Sequence, residues 1–404
     1  MQYVDNYQTV ESVLRSDHFQ PALHLRDSEP LLDGCVLTLT GEEHRKRRRL
    51  QRPLFERKAL AFYEHKILKE SLQIAFSRAE NEKDLQGRPR IDLLWLTRMT
   101  LVPVTAAVVG LDGVNNENSV IRLEDISRRL GEGASVEWST RDHDEVMEEA
   151  MEAKEDLLNE FYTESLERRK SLVKQWKRNN LNEADLPIDL LTLALREDFD
   201  NFDEDLWLRE ALFFVVASAN TTTHATPHVF HEIIEWNSNH PDETYLLEDS
   251  TFLRHAVEEA LRLHGPVPAL LRRATKETEL KDGQSIQEGE DVACLLGPAN
   301  TNPDLYGTDG SSYDPHRTTQ LGRREAHGLS FGSGAHLCSG RPLAIGLPNS
   351  TDNEIQVIGV LPRLMSELFK RGARPDPANP PTLRTDTEAS RYESYFLIFE
   401  SWDT

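Results

Sequence analysis

The stretch ALFFVVASA, residues 211–219, is apolar along almost its whole length. It is too long for a comfortable strand and has no polar face, so it reads as a helix threading a core rather than lying on one. A chain that must wrap such a helix needs apolar material elsewhere. Hydrophobic residues make up 38% of the 404 and charged residues 28%, which suits a globular protein with a solvated surface.

The remaining texture fits a mainly α fold with a small β-sheet region. Residues 1–165 read as helical segments with short breaks, and 141–178, rich in Glu, Lys and Arg, as a surface helix pair. A further helix is expected over 250–263, ended by Gly265 and Pro266. From Ala274 to Leu296 short alternating segments with turns at Asp282-Gly283 and Glu288-Gly289 predict small strands, and 297–341 is loop-like. With no internal repeat and no linker, residues 1–404 are read as one domain.

A formal net charge of −23 argues against a nucleic-acid partner, whose phosphates most of the surface would repel. The first residues, MQYVDNYQTVESVLRSDHF, lack the basic and apolar regions of a secretion signal, and no run approaches the ~20 apolar residues of a membrane span. The expectation is a cytoplasmic protein without a membrane anchor. Cys35, Cys294 and Cys338 are far apart and form neither a disulfide framework nor a CxxC pattern. A functional cysteine would act alone.

Cys338 stands out because FGSGAHLCSG, residues 331–340, surrounds it with Gly332, Gly334 and Gly340. It precedes a candidate helix start, where backbone N–H groups favour a thiolate. The segment resembles the heme-binding loop of the cytochrome P450 family, Phe-x-x-Gly-x-x-x-Cys-x-Gly, through Phe331, Gly334, Cys338 and Gly340. Three other segments share the resemblance in chain order. EEALR supplies Glu259 and Arg262 of a Glu-x-x-Arg helix, which with Arg317 in YDPHR (313–317) matches the family's structural triad. ASANTTT resembles the oxygen groove through Ala217 and Thr221, with Ser218 and Asn220 departing from it and Thr222 a candidate stand-in for the missing acid. GEEHRKRRRL places His44 and Arg48 four apart, as in the family's helix facing the heme propionates.

The resemblance therefore implies the cytochrome P450 fold, with N-terminal elements shortened, and heme b ligated by Cys338. Phe331 would shield the sulfur, and Gly332, Gly334 and Gly340 would let backbone approach the macrocycle. Arg273, ten residues before Gly283, and His336 would join His44 and Arg48 on the propionates. Arg45, Arg47, Arg49 and Arg52 would meet an acidic electron donor. The implied activity is a monooxygenase acting with O2 on a small, largely apolar organic substrate. Electrons would come from NAD(P)H through a separate ferredoxin or flavodoxin. Its pocket would draw on the region after Cys35, on 213–222, on 267–271 and on the turn at 392–394.

Asn220 cannot ionise, so peroxide-driven chemistry is an alternative, and a non-catalytic heme or ligand-binding protein is another. After Cys338 the expected helix meets Gly346, Pro348, Asn349 and Ser350 and should break, resuming near Asp352. His224, His228 and His231 fall at i, i+4 and i+7, a spacing that can hold a metal, but Pro227 is expected to interrupt their helix, and packing roles are favoured.

Overall fold

The computed structural model describes residues 1–22, 28–318, 326–348 and 354–402. Helix α1 is Tyr7–Arg15, α2 is Gly41–Gln51, α3 is Leu93–Val109 and α4 is Glu117–Ala134. Residues His143–Leu157, Leu158–Tyr162 and Thr163–Lys177 follow one another as α, π and α helix. The expected helix pair is thus one continuous rod, because no Gly or Pro occurs across residues 143–177 to stop it.

The apolar run lies in a second long helical passage. Helix α5 (Glu204–Val215), a π-turn (Val216–Asn220) and helix α6 (Thr221–Asn239) continue without a gap, with Ala211, Leu212, Val215 and Ala219 buried. Asp203 starts it, its side chain accepting from the Leu206 N–H at 3.0 Å. The passage packs against the apolar helix α3 and, at the π-turn, against α4. Pro227 does not interrupt α6, contrary to the expectation from its ring. It is buried among Thr226, His228 and Val229, and packing on both sides holds the helix through one missing N–H.

Four short strands form the sheet beside the site. These are β1 (Gln2–Val4), β2 (Phe19–Pro21), β3 (Ala269–Ala274) and β4 (Asp291–Leu295), in the order β1-β4-β3-β2, with only β1 and β4 parallel. Register pairs Arg272 with Val292 and Arg273 with Asp291. Gly283 and Gly289 carry positive φ in the two turns between β3 and β4.

Helix α7 (Ser250–Leu263) is capped by Asp249 and matches the expected range. Helix α8 (Arg341–Ile345) begins just after Cys338 and stops at Gly346. The resumption expected near Asp352 falls outside the described residues; the next described helix, α9, is Val360–Lys370. Its start is held by buried Glu64, which accepts from the N–H groups of Ile358 and Gly359, both at 2.9 Å, and from Arg363 at 3.1 Å. Among the described residues no helix is long and apolar enough to cross a membrane.

Candidate functional site

A cavity of about 450 Å³ lies between α2, the π-turn, β3 and the loop 330–340. Cys338 borders it, and its exposure is to this internal space. Burial deep in the protein pushes the thiol up, while N–H groups of Gly340 and Arg341 bond the sulfur, and with Arg48 and Arg341 nearby pull it back. The loop is folded on itself by the Cys338 N–H, which donates to the Phe331 carbonyl at 2.9 Å.

The three loop glycines serve different ends. Gly332 and Gly340 line the cavity, as expected of backbone that must approach a flat group. Gly334 does not. At φ +72° it presses on α1, where a Cβ would sit 2.7 Å from the Leu14 carbonyl oxygen. Its constraint is therefore the packing of the loop on α1.

Cationic and aromatic groups gather at the rim. The rings of His44 and His336 pack together, tilted by 32° with centroids 4.1 Å apart, and both residues line the cavity. Burial first, then His44, Arg272 and Arg48, push the His336 imidazole down to about 3, so it is neutral. Arg48 lines the cavity too, donating to the Leu337 carbonyl at 2.9 Å and to the Ser339 hydroxyl.

Arg273 requires correction. It points away from the cavity, is 41% exposed, and pairs with Asp291 at 2.7 Å on the outer face of the sheet. Alternation along β3 turns its neighbour Arg272 inward, where it is buried on the cavity wall. The basic run of α2 also divides by helical period. Arg47 is only 13% exposed, salt-bridged to the fully buried Glu210 and laid 4.7 Å from the Trp207 ring centroid, so it cannot greet an outside partner. Arg45 and Arg49 pair with Glu42, and Arg52 with Glu56, at the surface.

Across the cavity from Cys338 lies the π-turn. Ala217, Asn220, Thr221 and Thr222 all line the space. The Thr221 hydroxyl donates to the Ala217 carbonyl at 2.8 Å, leaving its lone pairs toward the cavity. Ser218 accepts from Thr105 of α3. The Asn220 amide donates to Ser127 of α4, to its carbonyl at 2.9 Å and its hydroxyl at 3.2 Å, and to the Val216 carbonyl at 3.3 Å.

On the other side of the loop, Glu259 accepts from Arg262 at 2.7 and 2.6 Å and from Arg317 at 2.9 Å. Arg262 is 0% exposed and also donates to the carbonyls of Asn300 and Gly310, both at 2.6 Å. Arg317 reaches the carbonyls of Tyr306 at 2.7 Å and Ser312 at 3.0 Å. The carbonyls that accept from the two arginines all lie on chain leading toward the cysteine loop. Such a buried ion group holds because its geometry and extra hydrogen bonds offset desolvation.

The three histidines of α6 do not converge. His228 bonds the Ser390 carbonyl at 3.1 Å, His231 the Tyr395 hydroxyl at 3.1 Å, and His224 faces the cavity. Tyr392, expected in the pocket, packs against His228 at 4.8 Å between ring centroids instead, while Arg384 and Arg391 from the same hairpin reach the cavity. Sequence reasoning missed Arg272, Arg391 and His224 as lining groups. Strand alternation against Asp291 was the available signal for the first; for the others there was none.

The family model described as Cytochrome P450 matches residues 1–346 of this chain. The chain belongs to the cytochrome P450 family. Among curated relatives, the P450 monooxygenase PikC of Streptomyces venezuelae is 34% identical over 160 residues, which are 39% of this chain and 36% of PikC. Cytochrome P450 4A2 of Rattus norvegicus is 25% identical over 387 residues, covering 87% of this chain and 72% of the rat protein. The chain thus spans about a third of PikC in that match. Of solved structures, CYP109E1 from Bacillus megaterium in complex with testosterone superposes with TM-score 0.72 at 17% identity, over 100% of this chain and 92% of that one. HmtT, involved in himastatin biosynthesis, gives 0.72 at 22% identity, over 98% and 91%. These structural likenesses carry the fold.

This P450 family holds heme through a cysteine thiolate, and the residues present fit that group. A thiol borders the cavity beside two glycines without side chains, and Arg48, Arg272, His44 and His336 form a cationic and polar rim suited to carboxylates.

Proposed function

We propose that this P450 is a heme-thiolate monooxygenase with Cys338 as the iron ligand, acting on a small, largely apolar organic molecule. The observation that carries the reading is the Cys338 sulfur at the cavity wall, bonded by the N–H groups of Gly340 and Arg341 and facing Thr221 across the space. Heme held by a thiolate supplies activation of O2, inserting one oxygen atom into substrate while two electrons and two protons carry the other off as water.

The chain's own residues position and exclude. Phe213, Val216, Val267 and Leu270 give an apolar wall that desolvates the substrate. Arg48 and Arg272 anchor the cofactor's carboxylates, with His44 and His336 filling the rim between them. Thr221 offers its hydroxyl oxygen to a proton donor in the cavity, and Thr222 lies beside it. The Glu259–Arg262–Arg317 group braces the cysteine loop from behind. Exposed Arg45, Arg49 and Arg52 face an acidic ferredoxin or flavodoxin that relays electrons from NAD(P)H, in the cytoplasm.

The reduced, carbon-monoxide difference spectrum tests this reading. The red-shifted band of a thiolate-ligated heme is expected, and it should vanish in Cys338→Ala; a well-folded, heme-supplied protein without the band refutes it. A second reading, turnover driven by peroxide, is supported by Asn220, an amide that cannot ionise and that is bonded to α4. Turnover with peroxide but not with NAD(P)H and several donor systems would favour it.

A further inference from the structure

Away from Cys338 the cavity runs into an arm bounded by α3, α4, α6 and the hairpin strands near Arg384 and Arg391. Four guanidinium groups line it. Three have partners: Arg98 pairs with Glu124 at 3.1 Å, Arg128 with Asp125 at 2.8 Å, and Arg384 with Asp386 at 2.6 Å and Glu132 at 3.0 Å. Among the described residues Arg391 has no side-chain hydrogen bond or ion pair, and its Nε is buried without an acceptor. His224, one helical turn from Thr221 and therefore about 5 Å along α6, has its Nδ1 buried and equally unpartnered.

Two buried nitrogens without a hydrogen-bond partner in one arm are a cost that folding alone does not repay, since each forgoes a bond to water. Burial and the neighbouring charges of Arg391 and Arg98 keep His224 neutral, so it presents one N–H and one lone pair. Burial and Arg384 oppose the charge on Arg391, and Glu132, Glu137 and Asp386 favour it, though none bonds its Nε; Glu132 also serves Arg384 and Arg141. With Glu132 and Glu137 both lining the arm, a dianion such as a phosphate ester would be repelled, while a single carboxylate is matched by the planar guanidinium.

We propose that the arm is a carboxylate-binding subsite, in which Arg391, aided by His224, anchors the acid end of a substrate whose apolar body extends along the cavity toward Thr221 and Cys338. The substrate class is then an apolar organic acid rather than a neutral apolar molecule. This rests on the monooxygenase reading only for what becomes of the bound acid.

Calorimetric titration of the heme-loaded protein at pH 7 tests it, with octanoate and 4-phenylbutanoate each compared with its primary amide. The acid should bind about tenfold or more tightly than the amide, the usual worth of a charge-assisted hydrogen bond. In Arg391→Leu that preference should disappear while amide affinity stays within about twofold, with the thermal midpoint read beside it to show that the variant is folded. Arg391→Lys should keep part of the preference.

Equal binding of acid and amide by the unsubstituted protein overturns the proposal, as does a preference that survives in Arg391→Leu. If that variant fails to fold, Arg391 is structural and the proposal also falls. The carbon-monoxide spectrum read on the same sample separates the two claims. Acid preference without the thiolate band leaves the subsite and removes the monooxygenase, and the band without acid preference does the reverse.

Discussion

The side-chain amide of Asn220 donates to the backbone carbonyl of Ser127 at 2.9 Å, joining the π-turn of the long core helix to α4. The contact is tight: a Cβ on Gly131 would lie 2.6 Å from the amide nitrogen. Asn220 is thus a tether between two cavity walls.

Exchange of that amide for an acid is accordingly predicted to harm the protein before it helps proton delivery. Asn220→Asp sets a carboxylate oxygen against the Ser127 carbonyl and removes its donor. A loss of about 1–3 kcal/mol in urea unfolding is expected, with no rise in the coupling of NAD(P)H oxidation to product. Unchanged stability with improved coupling would show that the tether is incidental.

Arg272 and Arg273 should behave oppositely. Arg272→Leu removes a buried cation from the cavity rim and should speed heme transfer to apomyoglobin by about tenfold or more. Arg273→Ala, which breaks an exposed pair with Asp291, should leave that rate alone and cost no more than about 1 kcal/mol. Equal effects would mean that strand alternation does not sort the two side chains as described.

The Glu259 group should be the least tolerant of partial removal. Arg262→Ala strands a buried carboxylate and several carbonyls, and a loss of about 3–5 kcal/mol is expected. A double-mutant cycle pairing Glu259→Gln with Arg317→Gln should return a coupling of about 0.5–3 kcal/mol. Additive effects would argue that Arg317 acts only through the carbonyls it meets.

Glu258, beside the triad on α7, gives a pH signature. Burial, only partly opposed by Arg254 and Arg341, raises its carboxyl from 4.5 to about 7. The folded state then holds a proton that the unfolded state has released, so stability is greatest below pH ~4.5 for this group and declines as pH rises toward ~7. Glu258→Gln should remove the decline and raise stability at pH 8 by about 2–3 kcal/mol. A variant with the same pH dependence as the parent would exclude this carboxyl as its source.

Much of the site is legible in local sequence. The spacing of Phe331, Gly334, Cys338 and Gly340 is local, and so is the placing of Glu259 and Arg262 on one helix face, because three residues along a helix return to nearly the same side. The apolar run at 211–219 likewise required a buried helix. Pro227 misled because propensity weighs one lost hydrogen bond against nothing, whereas α6 has core on several sides to hold it. Gly346, by contrast, did end α8, where the chain turns away at positive φ with a Cβ position closed off by Ile358.

What the chain alone determined, then, was chemistry that depends on neighbours in sequence: a lone cysteine in a glycine loop, a carboxylate and guanidinium three apart, a threonine where an apolar helix turns polar. Tertiary structure decided everything that depends on which way a side chain points. Register against β4 turned Arg272 inward and Arg273 outward; Ser127 on a separate helix claimed Asn220; Glu210 claimed Arg47 from a run of five cations. The physical reason is common to all three. A side chain's partner is set by distance in space, and residues 93 or 163 positions apart in the chain meet only after the core has packed.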